Sequence, residues 1–400
     1  MRPVYLDANA TTPVDPDVLA AMLPFFTEHF GNPSSPHGFG SVVAAAVKRA
    51  RGQLQSLLGA ESDQEITFTS GGTESDTTAI LSALATQEGR NELIVSAVEH
   101  PAVLALAQDL AKRAGVVVHV IPVDGRGRLD IDAYEKVLGR QTALVSIMWA
   151  NNETGTIFPV ERLAAMAHET GALFHTDAVQ AVGKIAMDLQ SGAIDMLSLS
   201  GHKLHGPKGI GALYVRQGVP FQPLIRGGRQ ERGRRAGTEN VPAIVGLGKA
   251  AELAAFHLYD EQTRVRELRD HLEAGVLAVI DKCIVTGDVD NRLPNTSNIA
   301  FDGVEGEAIV HLLSRDGVAV SSGSACSSGG MDASHVIRAM RLPFTAAHGA
   351  VRFSLSRDNE KADVDRLIEI LPDIIEELRA VSPFWRKARQ PAKPQERLYA

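Results

Sequence analysis

Cysteine is nearly missing from this chain of 400 residues, which has only Cys283 and Cys326. Two thiols are too few for a disulfide framework, so the stapled scaffolds of small secreted proteins are excluded. Positive charge is in deficit as well: the formal net charge is −8, a balance that disfavours broad nucleic-acid binding. Long apolar runs are lacking. No stretch approaches the roughly 18 uncharged residues of a membrane span. The opening MRPVYLDANATTP has no basic-then-apolar layout of a signal peptide. A cytoplasmic location, without membrane or nucleic-acid partners, is the expectation.

What is present is ordinary for a globular protein, at 44% hydrophobic and 22% charged, and long enough for two cores. From about residue 60 to 215, short apolar runs alternate with helical patterns. EITFTS, ELIVSAVE, VVVHVIPV, ALVSIMWA, ALFHTDA and DMLSLS read as buried strands, with helix-length segments such as PAVLALAQDLAKRAG between them. That alternation predicts an α/β domain with a mainly parallel sheet and helices on both faces. Ligands of such sheets bind at the carboxyl ends of the strands. A helical connector follows at 240–280, and from about 295 a smaller α+β set. The expected division is 1–15 as an N-terminal segment of the small domain, 16–258 as the large domain, 259–385 as the small domain and 386–400 as a frayed tail.

Three strand ends carry the chemistry. In EITFTSGGTESD, a strand gives way to Gly71-Gly72-Thr73 and then to a helix from Glu74. Glycines and a helix N-terminus offer N–H donors to an anion, which makes Gly72 and Thr73 phosphate candidates; a tight connection is the plainer alternative. In ALFHTDAVQ, Asp177 follows a strand, with Gln180 three residues on. It either caps the next helix or pairs with a protonated ring nitrogen. In DMLSLSGHKLHG, Ser200, His202 and Lys203 end another strand. Such a lysine is normally a surface residue, but in a cleft it becomes a Schiff-base amine. His202 and His205 lack cysteine or carboxylate partners, so no metal is expected. An anion loop, a carboxylate and a lysine on one sheet edge suit a phosphorylated pyridine aldehyde.

Two further features stand out. Cys283 lies in the apolar run DKCIVTG and reads as an inert core residue, whereas Cys326 sits among small polar residues in SSGSACSSGG. An exposed cytosolic thiol is usually avoided, which makes Cys326 a candidate nucleophile. The run RGGRQERGRRAGTEN holds Arg226, Arg229, Arg232, Arg234 and Arg235. It predicts a loop, either simply solvated or facing a small anion.

The chain resembles the cysteine desulfurases, of the class-V aminotransferase branch of fold-type-I pyridoxal-phosphate enzymes. The resemblance rests on YLDANATTPVDP, FGNPSSPHGFG, FTSGGTESD, VEHPAVL, WANNETGT, FHTDAVQAVGK, LSGHKLHGPKGIGALYV, ERGRRAGTEN, SSGSACSSG and VRFSLSR, and runs from about residue 4 to 385. It is strongest toward the nitrogenase-associated type and weaker toward the housekeeping type. It implies a large domain with a mainly parallel seven-stranded sheet plus a smaller α+β domain, and pyridoxal 5'-phosphate as cofactor. It also implies that L-cysteine becomes L-alanine while a persulfide forms on Cys326, for iron-sulfur cluster assembly serving nitrogenase.

Roles follow residue by residue. Lys203 is the implied Schiff-base lysine. Asp177 meets the ring nitrogen, and Gln180 the ring hydroxyl. His100 stacks on the ring and assists proton transfers, including that of the Cys326 thiol. Gly72, Thr73, Ser200 and His202 hold the phosphate, and Thr238 reaches the phosphate of a second subunit, which implies a homodimer. Asn152, also a cofactor contact, and Arg352 take the substrate carboxylate, although a sheet-edge arginine is the plainer reading of Arg352. An iron-sulfur scaffold protein is the implied sulfur acceptor. The stretch GGMDASHVIRAM departs from the family, where a Leu-Glu-Pro-Ser pattern often follows the cysteine. A plain aminotransferase, a selenocysteine lyase or a silent scaffold on the same fold are the rival readings. A transaminase needs no such cysteine, and a silent copy would not need Lys203, Asp177, His100, Arg352 and Cys326 together.

Overall fold

The computed structural model describes residues 2–322, 333–383 and 385. Its first strand, β1 (Val4–Tyr5), is only two residues long. The large sheet uses β2 (Ile66–Thr69), β3 (Glu92–Ser96), β4 (Val117–Ile121), β5 (Thr142–Ser146), β6 (Leu173–Asp177), β7 (Met196–Ser200) and β8 (Gly211–Val215). Their order is β2-β8-β7-β6-β5-β3-β4, and β8 alone runs against its neighbours, so the sheet is seven-stranded and mainly parallel.

The apolar runs are unbroken because both faces of this sheet are covered. Successive side chains alternate between two cores: Leu93, Leu144, Met196 and Leu213 join one, while Ile94, Val145, Leu197 and Tyr214 join the other. On the second face, helices Gly38–Leu58 and Val241–Asp260 lie against each other. Their approach is close: a Cβ at Gly248 would fall 2.5 Å from Ala50 Cα. Val241–Val279 is long and apolar enough by composition to cross a membrane, but half of its most apolar stretch is buried, and Ile244, Leu247 and Ala251 fill the core.

The remaining strands are β9 (Cys283–Val285), β10 (Thr296–Phe301), β11 (Val318–Ala319), β12 (Ser321–Ser322) and β13 (Ala350–Ser354). Four of them form an antiparallel sheet, β12-β13-β10-β9, and β1 pairs in parallel with β11. The N-terminal strand is thereby stitched to the C-terminal part, and Leu6 enters a core with Leu272, Phe301, Val351 and Leu371. Cys283 departs from its sequence reading: it is half-buried on the edge strand β9, where its thiol donates to the Ile280 carbonyl at 3.0 Å. Helical structure continues across residues 258–259, from Val241 to Val279, through a π-turn at Glu261–Val265.

Candidate active site

The carboxyl ends of β2, β3, β5, β6 and β7 open onto one cavity of about 470 Å³. Gly72, Thr73, His100, Asn152, Asp177, Gln180, Ser200, His202, Lys203 and Arg352 all line it. Thr238 does not: it is exposed, in the Arg-rich segment. Cys326 lies outside the described residues.

The anion end is built by close approach. The helix after β2 begins at Gly72, two residues before its expected start, so Gly72 and Thr73 form its first turn. A Cβ at Gly72 would sit 2.9 Å from a Val179 methyl and 3.8 Å from Ser200 Cβ. Only glycine lets this turn lie against the ends of β6 and β7, where its free N–H groups and the helix dipole face the cavity. Burial, with the Lys203 and Lys208 charges, drives His202 down to about 4. Its ring is therefore neutral at pH 7, with Nδ1 3.1 Å from Thr11 Oγ1.

The carboxylate end is the floor. Asp177 is the last residue of β6; no helix follows it, and Oδ1 accepts the Val179 N–H at 2.9 Å. The helix-capping alternative therefore falls away. Burial raises the affinity of Asp177 for protons, against the pull of that N–H, His100 and Lys203. Asp76, one helical turn beyond Gly72, is pushed well above the usual carboxylate range by burial and by the Asp177 charge. Glu99 rises to about 8 by burial. Beneath them His175 is held near 3 by burial, between Ser146 and Ser198. A cationic ring nitrogen at Asp177 would supply the positive charge that this acid-rich floor lacks.

Lys203 is largely buried, and its amine donates to the Asn9 carbonyl and, at 2.8 Å, to that of Ala10. Burial, reinforced by Arg352 and Lys184, lowers it to about 7, so an uncharged amine is plentiful at neutral pH. Gln180 donates to the Asn9 carbonyl at 3.0 Å and leaves Oε1 buried without a hydrogen-bond partner among the described residues. That orphaned acceptor suits a ring hydroxyl. His100 caps the helix Pro101–Arg113 through Nδ1, which accepts the Ala102 N–H at 3.1 Å; burial lowers its pKa. The residues present thus fit a phosphorylated pyridine aldehyde at every corner: helix start, carboxylate, acceptor amide and near-neutral amine.

Arg352 is not at a sheet edge, since β13 lies between β12 and β10. Its guanidinium already holds Asp7 at 2.7 Å and the Asn152 carbonyl at 3.0 Å, while Nε is buried without a partner among the described residues. A substrate carboxylate would share this group with Asp7 rather than meet a free fork. Asp7 and Asn9 were not singled out from sequence, nor were Asp76, Glu99 and Glu153. The clue for Asp76 was its spacing, i+4 from Gly72 and so on the same helical face. Nothing local marked Asn9, whose backbone carbonyl does the work.

The Arg-rich segment is a loop with a short 3-10 turn at Gln230–Gly233. Arg232 and Arg234 bond to the Gln64 carbonyl, and Arg235 pairs with Glu74. Arg226 and Arg229 are exposed.

Comparison with known proteins agrees with this layout. The family model "Aminotransferase class-V" matches residues 4–367. A "Cysteine desulfurase" from Gluconacetobacter diazotrophicus is 68% identical, covering 96% of both chains. "Cysteine desulfurase NifS" from Azotobacter vinelandii is 60% identical, again over 96% of each. A solved "NifS-like protein" superimposes with a TM-score of 0.88 at 39% identity, over 94% of this chain and 100% of that one. With matches spanning nearly its whole length, this chain belongs to the class-V aminotransferase family.

Proposed function

We propose that the chain is a pyridoxal-phosphate-dependent cysteine desulfurase that converts L-cysteine to L-alanine and supplies sulfur for iron-sulfur clusters. The observation that carries this reading is the meeting, in one cavity, of a near-neutral Lys203, the Asp177 carboxylate and the Gly72 helix start. When bound, the cofactor supplies an electron-withdrawing ring that acidifies the substrate Cα–H and labilises its β-sulfur. The chain does the rest. N–H groups at Gly72 and Thr73, with Ser200 and His202, hold the phosphate. Asp177 keeps the ring nitrogen cationic, and Gln180 Oε1 takes the ring hydroxyl.

Arg352 and Asn152 orient the substrate carboxylate. The Lys203 amine, unprotonated in part at neutral pH, would move a proton at the substrate Cα. His100, at the cavity wall, assists proton transfers. Cys326 accepts the sulfur: the substrate C–S bond breaks, an S–S bond forms, and the thiol proton ends in alanine. A thiol plus L-cysteine gives a persulfide plus L-alanine, so no outside oxidant is consumed. The Ser/Gly setting of Cys326 and the names of the relatives support this assignment.

Thr238 is exposed in one chain, which suits a residue that reaches the phosphate of a second subunit in a homodimer. Likeness to the Azotobacter vinelandii protein named NifS supports service to nitrogenase; an iron-sulfur scaffold protein as acceptor and a cytoplasmic setting belong to the same proposal. We also retain 1–15 with 259–385 as a small domain beside 16–258; the pairing of β1 with β11 supports that division.

The test is direct. Purified protein given L-cysteine should release alanine and carry a persulfide, and Cys326→Ala should bind cysteine yet make neither. Normal alanine output from that variant would turn the reading toward a lyase that releases sulfur directly. Lys203→Ala should abolish the visible band of the lysine-bound cofactor; its survival would remove Lys203 from its role.

A further inference from the structure

Lys203 also lines a second cavity of about 20 Å³, too small for anything beyond a water. Titratable groups crowd so small a space: Lys184, His205, His257, Glu261 and Arg357 join Lys203 there. Lys184 has only 7% of its surface exposed, and its ammonium donates to the Gln180 carbonyl at 3.1 Å. Glu261 is 8% exposed and has a buried Oε2 without a hydrogen-bond partner among the described residues. It opens the π-turn Glu261–Val265, and such wide turns tend to mark function. Burying an ammonium and a carboxylate without a direct ion pair carries a large penalty. Nothing in the desulfurase reading uses either group.

We propose that Lys184 is a positioning residue for Lys203, its buried ammonium, kept charged by Glu261, holding the neighbouring amine free of its proton. The proposal rests on Lys203 being the cofactor lysine. Like charges in one buried space disfavour each other's charged form, so an ammonium at 184 drives a proton off 203. Glu261 acts one step away: without it, burial would discharge Lys184 and remove that pressure. The directions agree. Lys184 is among the charges that lower Lys203, and Glu261 is the charge that supports Lys184 against burial.

The other groups facing the pair fix the sign. Lys203 is pressed the same way by Arg352 and the opposite way by Asp177 and Asp7. Burial, with the Asp260 charge, raises Glu261 to about 7 against the pull of Lys184, Arg357 and Arg264, so its carboxylate is partly ionised at neutral pH and gains charge as pH rises. His205 is neutral at pH 7, held at about 4 by burial, so it adds no charge to this space. His257, also lowered by burial, stands between Arg357 and the carboxylates Asp260 and Asp15.

The experiment measures Lys203 directly in full-length protein stripped of cofactor with hydroxylamine. An amine-acylating reagent is applied from about pH 5 to about pH 10, and labelling of the Lys203 peptide is read by mass spectrometry. The unaltered protein should label with a midpoint near 7. Lys184→Met should raise that midpoint by roughly one pH unit and slow labelling at neutral pH several-fold. Lys184→Arg, which keeps the charge, should leave it in place. Glu261→Gln should raise it when Lys184 is present, and add nothing in the Lys184→Met background.

An unmoved midpoint in Lys184→Met overturns the proposal. So does an equal shift in Lys184→Arg, which would mean packing, or an equal Glu261→Gln effect in both backgrounds. Melting curves exclude variants that fail to fold, and the pH midpoint of the visible band in cofactor-loaded protein gives a second reading. Loss of the Lys203 assignment would appear instead as a band surviving Lys203→Ala, with the labelling midpoints unchanged.

Discussion

Two charged regions of this molecule are finished to different degrees. In the Arg-rich segment, the buried Glu231 carboxylate has its partners. Arg51 meets Glu231 through two bonds of 2.7 Å, the second Glu231 oxygen also takes the Phe68 N–H at 2.9 Å, and the guanidinium lies 4.6 Å from the centre of the Phe68 ring. The cavity at the strand ends is left incomplete. Gln180 Oε1, Asp76 Oδ1 and Arg352 Nε are buried without hydrogen-bond partners among the described residues, and Lys203 is held far below its ordinary basicity. Completed electrostatics serve stability, while incomplete electrostatics cost stability and wait for a ligand. Substitutions should therefore trade off in opposite directions in the two places.

The largest effect belongs to the cavity. Asp177→Asn should cut alanine formation roughly 10²–10³-fold, because a preorganised charge at the ring nitrogen is lost. The cofactor-free protein should become more stable at neutral pH. The sign follows from linkage: the folded Asp177 carboxyl binds its proton more tightly than the unfolded one, so its contribution to stability falls as pH rises above the ordinary carboxylate range. Asparagine cannot ionise and removes that slope. Alanine assays beside denaturant melts at two pH values check both halves. A variant that loses stability along with activity would break the contrast.

The converse test lies in the loop. Arg51→Met leaves the buried Glu231 carboxylate alone and should cost about 3–5 kcal/mol of unfolding free energy. Turnover per folded molecule should be unchanged, because no atom of this pair lines the cavity. Adding Glu231→Leu should recover part of the loss, since a buried pair replaced by apolar groups is often neutral. Urea melts give the energies. A fall in turnover at full folding would tie the loop to catalysis by a route the pairings do not reveal.

The same contrast explains what could be read from the sequence. Strand runs, the glycine turn and the order Gly72, Asp177, Lys203 were legible because burial on both faces of a parallel sheet leaves a local signature, and ligands gather at its strand ends. Arg51–Glu231 was not legible: its partners are 180 residues apart and neither lies in a patterned position. Asn9 was invisible for another reason, since a backbone carbonyl accepts from Lys203 and Gln180 and a carbonyl has no residue type. The tie between Asp7 and Arg352, 345 residues apart, depends on the N-terminal segment bridging to Ser354, which periodicity cannot anticipate.

That tie makes the finest test of how incomplete the cavity is. Asp7 holds the guanidinium proposed above to take the substrate carboxylate, so two carboxylates would compete for one cation. Asp7→Asn should lower KM for L-cysteine by roughly threefold, a change of under 1 kcal/mol. The Asn152 carbonyl continues to hold the other guanidinium nitrogen at 3.0 Å, so kcat should change less than KM. Asp7 also supports the charged form of Lys203, and its removal should move the acid limb of the rate profile slightly toward lower pH. Steady-state kinetics across pH measure all three quantities. A rise in KM would mean that Asp7 positions Arg352 more than it competes, and would move this pair from the unfinished side of the comparison to the finished one.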